Sequence, residues 1–265
     1  MNRIDNKFIQ LRASGKKAFI AFLTAGDPDL AATEKLVLAF DRAGVDIVEI
    51  GVPFSDPLAD GPTIQAASYR SLQKGTTLSA ILALVARIRR KSAIPLALMT
   101  YYNPVFNFGE KKFAVQAKAA GVDGVIIPDL PLEEADAWRT AAAREGLAAV
   151  FLLAPTSGET RMASVVQAST GFIYYVSIAG ITGARQAVPS EIVAKIRLAK
   201  TLTDKPVCVG FGVTTPAQAH AMARIADGVI VGSAIVKEIN NNARSKDMPQ
   251  QVARFVARLV RAVKR

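Results

Sequence analysis

The chain is 265 residues long, 51% hydrophobic and 21% charged, with 18 Gly and 13 Pro, the make-up of a folded globular protein and not of a disordered one. One cysteine, Cys208, excludes an internal disulfide and a thiolate metal cluster, and one histidine, His220, excludes a site of several imidazoles around zinc or iron. Lys and Arg outnumber Asp and Glu, 33 against 22, for a formal charge of +11, so the placement of that charge decides between an anionic partner and a wetted surface.

The opening, MNRIDNKFIQLRASGKK, has no apolar stretch before its basic residues, and no later apolar run reaches the roughly 18 residues of a spanning helix. Neither a signal peptide nor a membrane span is expected, which makes the cytoplasm the default location. Residues 2–14 read as an extra helix. Eight short apolar runs then alternate with helical stretches: 18–24, 46–51, 95–101, 123–128, 148–153, 171–177, 206–211 and 228–232. Their near-continuous Val, Ile and Leu content indicates parallel strands covered on both faces. A repeated phrase marks helix-to-strand connections at Ala43-Gly44-Val45-Asp46, Ala120-Gly121-Val122-Asp123 and Ala226-Asp227-Gly228.

Eight such units in one chain fit a single α/β domain over residues 1–265, a closed (β/α)₈ TIM barrel. An open doubly wound sheet is disfavoured because no Gly-x-Gly-x-x-Gly follows the first run. The polar stretch 240–247 reads as a loop within the last unit. In the tail, Val252, Phe255, Val256, Leu259, Val260 and Val263 recur at helical spacing, leaving Arg254, Arg258, Arg261, Lys264 and Arg265 on a solvated face. Arg87, Arg89, Arg90 and Lys91 read the same way.

In such a barrel, chemistry sits at the C-terminal strand ends. No run contains Lys or His, which argues against a Schiff-base lysine and a strand-borne His base. Glu49, inside Ile47-Val48-Glu49-Ile50, shares a face with Ile47 and Gly51. A carboxyl buried there is either an acid of raised pKa or one half of a buried ion pair. The following loop, residues 52–62, carries Asp56, Asp60 and three prolines, which lower the entropy lost in holding Asp60 over the barrel mouth. Asp56 alone reads better as a cap or turn residue.

Glycine-bearing turns follow the last three runs: Gly180-Ile181-Thr182-Gly183, Gly210-Phe211-Gly212, and Gly232-Ser233 before a short helix over 234–239. Their amides and the helix N-terminus suit a phosphate. Phe22, Tyr101, Tyr102, Tyr174 and Phe211 lie near the same ends and suggest a ligand with a flat apolar part as well as a phosphate. Trp138 and His220 lie on helices away from this rim and read as structural.

The 17-residue stretch from Glu49 to Gln65, EIGVPFSDPLADGPTIQ, resembles the signature of the tryptophan synthase alpha chain family. The likeness extends over the whole chain through FLTAGDP (22–28), YYNPV (101–105), IPDLP (127–131), ITGAR (181–185) and VGSAIV (231–236). It implies a lyase of tryptophan biosynthesis that cleaves indole-3-glycerol phosphate to indole and glyceraldehyde 3-phosphate. It also implies no cofactor in this chain and a beta-chain partner carrying pyridoxal phosphate, usually as an α₂β₂ assembly. By resemblance, Glu49 gives the proton to indole C3, Asp60 contacts the indole N–H, and Tyr174 stands near the reacting centre. Phe22, Tyr101 and Phe211 surround the indole. Gly183, Gly212, Gly232 and Ser233 hold the phosphate, Thr182 belongs to a mobile loop, and Asp56 and Asp129 match positions at the beta-chain contact.

The residue inventory agrees with that chemistry. Without a lysine or metal as electron sink, a carbon–carbon bond breaks only if the substrate supplies one, and a C3-protonated indole does so. A pI near 9.9 is unusually basic for the family. A free-standing lyase and a non-catalytic phosphate-binding barrel remain as alternatives, the latter weakened by the presence of both Glu49 and Asp60.

Overall fold

The computed structural model describes residues 1–176, 188–210 and 212–265. Nine strands are present in the described residues: β1 (Ala18–Thr24), β2 (Ile47–Gly51), β3 (Leu96–Met99), β4 (Gly124–Ile126), β5 (Ala148–Val150), β6 (Leu152–Leu153), β7 (Ile173–Val176), β8 (Val207–Gly210) and β9 (Gly228–Val231). Every pairing is parallel, in the order β5-β4-β3-β2-β1-β9-β8-β7-β6. Because β5 and β6 are separated by Phe151 alone, the two ends of that order are one stretch of chain and the sheet closes on itself. The fold is therefore the expected barrel, with the fifth run split where its pairing passes from β4 to β7. The third run loses Pro95, which has no N–H to donate, and ends before Thr100.

Strand alternation sorts the side chains into two cores. Ile20, Ile47, Ala97, Ile126, Tyr174, Cys208 and Ile230 fill the barrel interior. Leu23, Val48, Ile50, Leu98 and Val125 point outward to the helices. Helix α1 (Arg3–Ala13), capped by Asn2 in a capping box with Asp5, buries Ile4, Phe8 and Leu11 in the interior cluster. This helix plugs the barrel at the N-terminal strand ends, where Asn2 and Arg3 bind Asp123.

The three aspartates of the repeated phrase have one job. Asp46 accepts the Phe19 N–H at 2.9 Å, Asp123 that of Leu96 at 2.9 Å and Asp227 that of Val207 at 3.1 Å. Each thus ties the start of its own strand to the strand beside it. Each is also neutralised: Asp46 by Lys264, Asp123 by Arg3 and Arg89, and Asp227 by Lys17 and Lys200.

Outside the sheet run α2 (Leu30–Arg42), α3 (Pro62–Gln73), α4 (Leu78–Arg89), α5 (Tyr102–Phe108), α6 (Glu110–Ala120), α7 (Asp136–Glu145), α8 (Glu159–Ala168), α9 (Ser190–Thr201), α10 (Pro216–Ala223), α11 (Ser233–Asn242) and α12 (Met248–Val263). Two expectations are corrected here. Residues 240–242 belong to α11 and not to a loop: the helix runs to Asn242, whose side-chain Nδ2 also donates to the Glu238 carbonyl one turn back at 2.8 Å. Arg89 is not on a wet face: it is a partly buried brace that donates to Gly121 and Ile94 carbonyls and to Asp123. The tail behaves as its periodicity requires, with Val252, Val256 and Leu259 buried and Arg254, Arg258 and Arg261 exposed, although Lys264 turns in to Asp46. Trp138 packs on Phe113, and the His220 Nδ1 lies 3.1 Å from the Ala262 carbonyl oxygen, both far from the strand ends that carry the site. No described helix is long and apolar enough to cross a membrane.

Candidate active site

Glu49 occupies the middle of β2, beside Phe22 on β1 and Ala97 on β3. It shares the inward face of Ile47, as alternation dictates, and is fully buried. Neither carboxyl oxygen has a hydrogen-bond partner, and no described Lys or Arg forms an ion pair with it. Burial, with the nearby Asp60 charge, pushes its pKa up to about 8. Of the two readings open from sequence, the buried ion pair is excluded among the described residues.

Asp60 ends the loop between β2 and α3. Its backbone carbonyl accepts the Gln65 amide at 2.8 Å, and its N–H donates to Pro57 at 3.0 Å. Burial pushes its pKa up to about 6, against the Tyr101 hydroxyl, which lowers it. Tyr174, inward on β7, is buried, and its phenol is raised well above the ordinary value by burial and by the Glu49 and Asp60 charges. Asp60 and Tyr174 line one cavity at the C-terminal end of the barrel, and Glu49 lies beside Phe22, which lines the same cavity.

The cavity measures ≈ 250 Å³. Its apolar side is formed by Phe22, Ile64, Met99, Leu152, Tyr174 and Ile230, and Asp60 stands in its wall. Gly212, Thr214, Gly232 and Ser233 also line it. Gly232 is the N-cap of α11 and supplies no side-chain cap, so the first amides of that helix are not covered by a capping oxygen. Gly212 has φ +25°, in the left-handed region that favours glycine.

The structure thus brings Asp60, Tyr174, Phe22, Gly212, Gly232 and Ser233 into one cavity lining, with Glu49 beside Phe22 but outside that lining. Phe211, Thr182 and Gly183 lie outside the described residues. Tyr101 does not line the cavity: its ring stacks on Phe54 and its hydroxyl accepts the Ala59 N–H. Asp56 and Asp129 are exposed, away from the cavity wall, and Asp129 accepts the first amide of α5, from Tyr102, at 2.8 Å. Leu152, Met99 and Ile230 were not singled out from sequence, because each reads as ordinary strand filler. Gly51 and Gly210 have a role that turn logic misses: a Cβ on Gly51 would come 2.6 Å from the Phe22 ring, and one on Gly210 2.8 Å from the Tyr174 ring. These glycines make room for the aromatics of the cavity. No cluster of three His, Cys, Asp or Glu side chains suited to a metal occurs among the described residues.

A buried acid without a partner, a second carboxyl in a cavity wall and a helix N-terminus in the same lining can act together on a ligand that is aromatic at one end and anionic at the other. Comparison with known proteins bears on the chain as a whole. The sequence model of the family described as Tryptophan synthase alpha chain matches residues 8–264. The chain is 50% identical over 263 residues to the tryptophan synthase alpha chain of Citrifermentans bemidjiense, covering 99% of this chain and 98% of that one. It is 49% identical over 263 residues to that of Geobacter sulfurreducens, covering 99% of each. A crystal structure of tryptophan synthase subunit alpha from Legionella pneumophila superposes with a TM-score of 0.92 at 37% identity, covering 99% of this chain and 98% of that one. A structure of Mycobacterium tuberculosis tryptophan synthase gives 0.91 at 37%, covering 100% and 99%. With the fold, the cavity and full-length similarity in agreement, the chain belongs to the tryptophan synthase alpha chain family, lyases of tryptophan biosynthesis.

Proposed function

We propose that this chain, working as one domain, performs the retro-aldol cleavage of indole-3-glycerol phosphate with Glu49 as proton donor and Asp60 as its electrostatic counterpart. Protonation of indole C3 by Glu49 gives a ring iminium. The carboxylate that Glu49 has become then takes the proton of the adjacent glycerol hydroxyl, the aldehyde carbonyl forms, the C3–carbon bond breaks, and its electrons return to the iminium to leave indole with Glu49 again an acid. Asp60, ionised, offsets the positive charge that develops at the ring nitrogen. Tyr174 and Phe22 flank the ring, while Gly212, Gly232 and Ser233, with Gly183, hold the phosphate at the α11 N-terminus. Thr182, Gly183 and Phe211 keep their assignments from the family resemblance alone.

The observation that carries this reading is the unpartnered, fully buried Glu49 carboxyl. A buried acid held in its protonated form near neutral pH is what a proton donor to carbon needs. Because the carboxyl does not line the cavity, it must turn into it to reach C3. The chain uses no cofactor of its own, the pyridoxal phosphate of the synthase belonging to the beta chain.

The same reading gives the chain a beta-chain partner in an α₂β₂ assembly. Its support is the rim formed by the β2–α3 loop and α5, where Leu58 is 93% and Phe106 65% exposed beside the exposed Asp56 and Asp129. The Ala59–Tyr101, Tyr102–Asp129 and Tyr102–Phe106 contacts place these residues on one edge. Large apolar side chains left in water together mark a contact surface. An indole-release assay on the purified chain, alone and with a beta chain, tests both parts. Stimulation by the beta chain is expected, equal turnover in both would make this a free-standing lyase, and no indole in either would remove the proposal.

A further inference from the structure

Tyr101 lies at the edge of the cavity residues without being one of them. It is 5% exposed and is not among the residues that line the cavity. Its ring centroid lies 5.2 Å from that of Phe54, stacked at 27°. Its hydroxyl oxygen accepts the Ala59 N–H at 2.9 Å. Phe54 stands near the start of the β2–α3 loop and Ala59 next to Asp60 at its end, so one side chain grips the loop at both ends.

Little else does. The other hydrogen bonds of residues 54–60 stay within residues 54–65, such as Leu58 to Asp56, Asp60 to Pro57 and Gln65 to Asp60. Among the described residues, the Tyr101 hydroxyl is the one group from elsewhere in the chain that bonds to this segment. A hydroxyl that accepts from an amide still has its own proton to give, and this one, held at the residue next to Asp60, lowers the Asp60 pKa.

We propose that Tyr101 is a positioning residue, which latches the β2–α3 loop so that the Asp60 carboxylate stays in the cavity wall, and that it acts through Asp60 and not by touching the substrate. This rests on the reading of Asp60 as the group that faces the indole nitrogen. The ionisable groups bearing on Asp60 are Glu49 from β2, Tyr174 from β7 and Tyr101 itself, with Asp129 acting on Tyr101 from the loop after β4. None of these is a cation, so loss of the Tyr101 hydroxyl removes a group that favours the ionised form of Asp60.

Tyr101→Phe keeps the ring and its stacking and deletes only the hydroxyl. Steady-state lyase kinetics of the full chain with its beta chain, taken between pH 5 and 9, should show kcat reduced about 10- to 100-fold, the scale of a catalytic group displaced by about 1 Å. KM should stay within about threefold, and the acidic limb of the profile should move to higher pH. Far-UV circular dichroism and binding of glycerol phosphate report whether the variant is folded. Phe54→Leu, which loosens the same ring but keeps the hydroxyl, should lower kcat with a smaller shift of the limb. Wild-type kcat and an unmoved limb in Tyr101→Phe would overturn the proposal, as would a raised KM with kcat intact, which would make Tyr101 a substrate contact. Asp60→Asn separates the two levels: if that variant keeps full turnover and the acidic limb, the role given to Asp60 fails. If it loses both while Tyr101→Phe keeps them, only the latch fails.

Discussion

Glu49 and Asp60 lie at the same desolvated end of the barrel yet are held in different ionisation states, with pKa values pushed up to about 8 and about 6. Each carboxyl is raised chiefly by burial. The difference comes from their surroundings, since Glu49 has no hydrogen-bond partner and feels the Asp60 charge, while Asp60 has the Tyr101 hydroxyl. Between those two values Glu49 is protonated and Asp60 is ionised, which is the combination that the proposed C3 protonation needs.

A bell-shaped pH dependence of kcat/KM follows, with an acidic limb near 6 from Asp60 and a basic limb near 8 from Glu49. The sign is set by the roles: Asp60 fails when it gains a proton and Glu49 when it loses one. Indole release under dilute substrate between pH 5 and 9 checks it, and a rate that keeps rising through pH 9 would reverse the assignment of Glu49.

The buried carboxyl also carries a stability cost. Its folded pKa lies above the ordinary value of 4.5, so the folded state binds more protons than the unfolded one between about 4.5 and 8, and this group's contribution to stability falls as pH rises through that window. Glu49→Leu should therefore be more stable than the natural chain near pH 7, by ~2–4 kcal/mol from the linkage. Denaturant unfolding at pH 5 and pH 8 measures it: the gap between the two proteins should widen at the higher pH, and a variant less stable at pH 8 would count against an unpaired acid.

How far the site was legible can be judged residue by residue. The inward face of Glu49 follows from two-residue periodicity and the covered strands, and the cavity positions of Gly212, Gly232 and Ser233 follow from turn chemistry at strand ends. The contacts of Tyr101 with Ala59 and Phe54 were not legible, because sequence shows where an aromatic stands along the chain but not which loop folds over it. Arg89 looked like part of a wet charge run, because its acceptors, from residues 92–123, all lie past the end of its helix. The repeated phrase revealed Asp46, Asp123 and Asp227 as connections, but each accepts an amide from 20 to 27 residues away, which only the barrel brings near.

Those aspartates should differ in cost when truncated. Asp123 is the most enclosed, 3% exposed with two guanidiniums and the Leu96 amide, so Asp123→Ala strands buried donors and should cost about 3–5 kcal/mol. Asp227, 28% exposed, should cost ~1–2 kcal/mol on substitution by Ala. Its pKa is lowered, chiefly by the Lys200 and Val207 contacts overcoming burial, so its contribution is present above the unfolded value and lost as pH falls through the folded one. Urea midpoints at neutral pH give the ranking, which fails if Asp227→Ala is the more damaging.

Gly210→Ala should act on substrate through Tyr174. The new Cβ would meet that ring at 2.8 Å, and overpacking of this kind costs roughly 1–3 kcal/mol. The ring moves into the cavity, so KM should rise several-fold while the acid and counterion stay in place. Equal KM in wild type and variant would mean the ring has another way to turn.

The central claim, proton donation by Glu49, is tested most directly by indole release from Glu49→Gln in the presence of a beta chain. The amide keeps the size and burial of the side chain and cannot give up a proton, so turnover should fall by about 10²- to 10⁴-fold while glycerol phosphate still binds. Turnover near that of the natural chain would contradict the account.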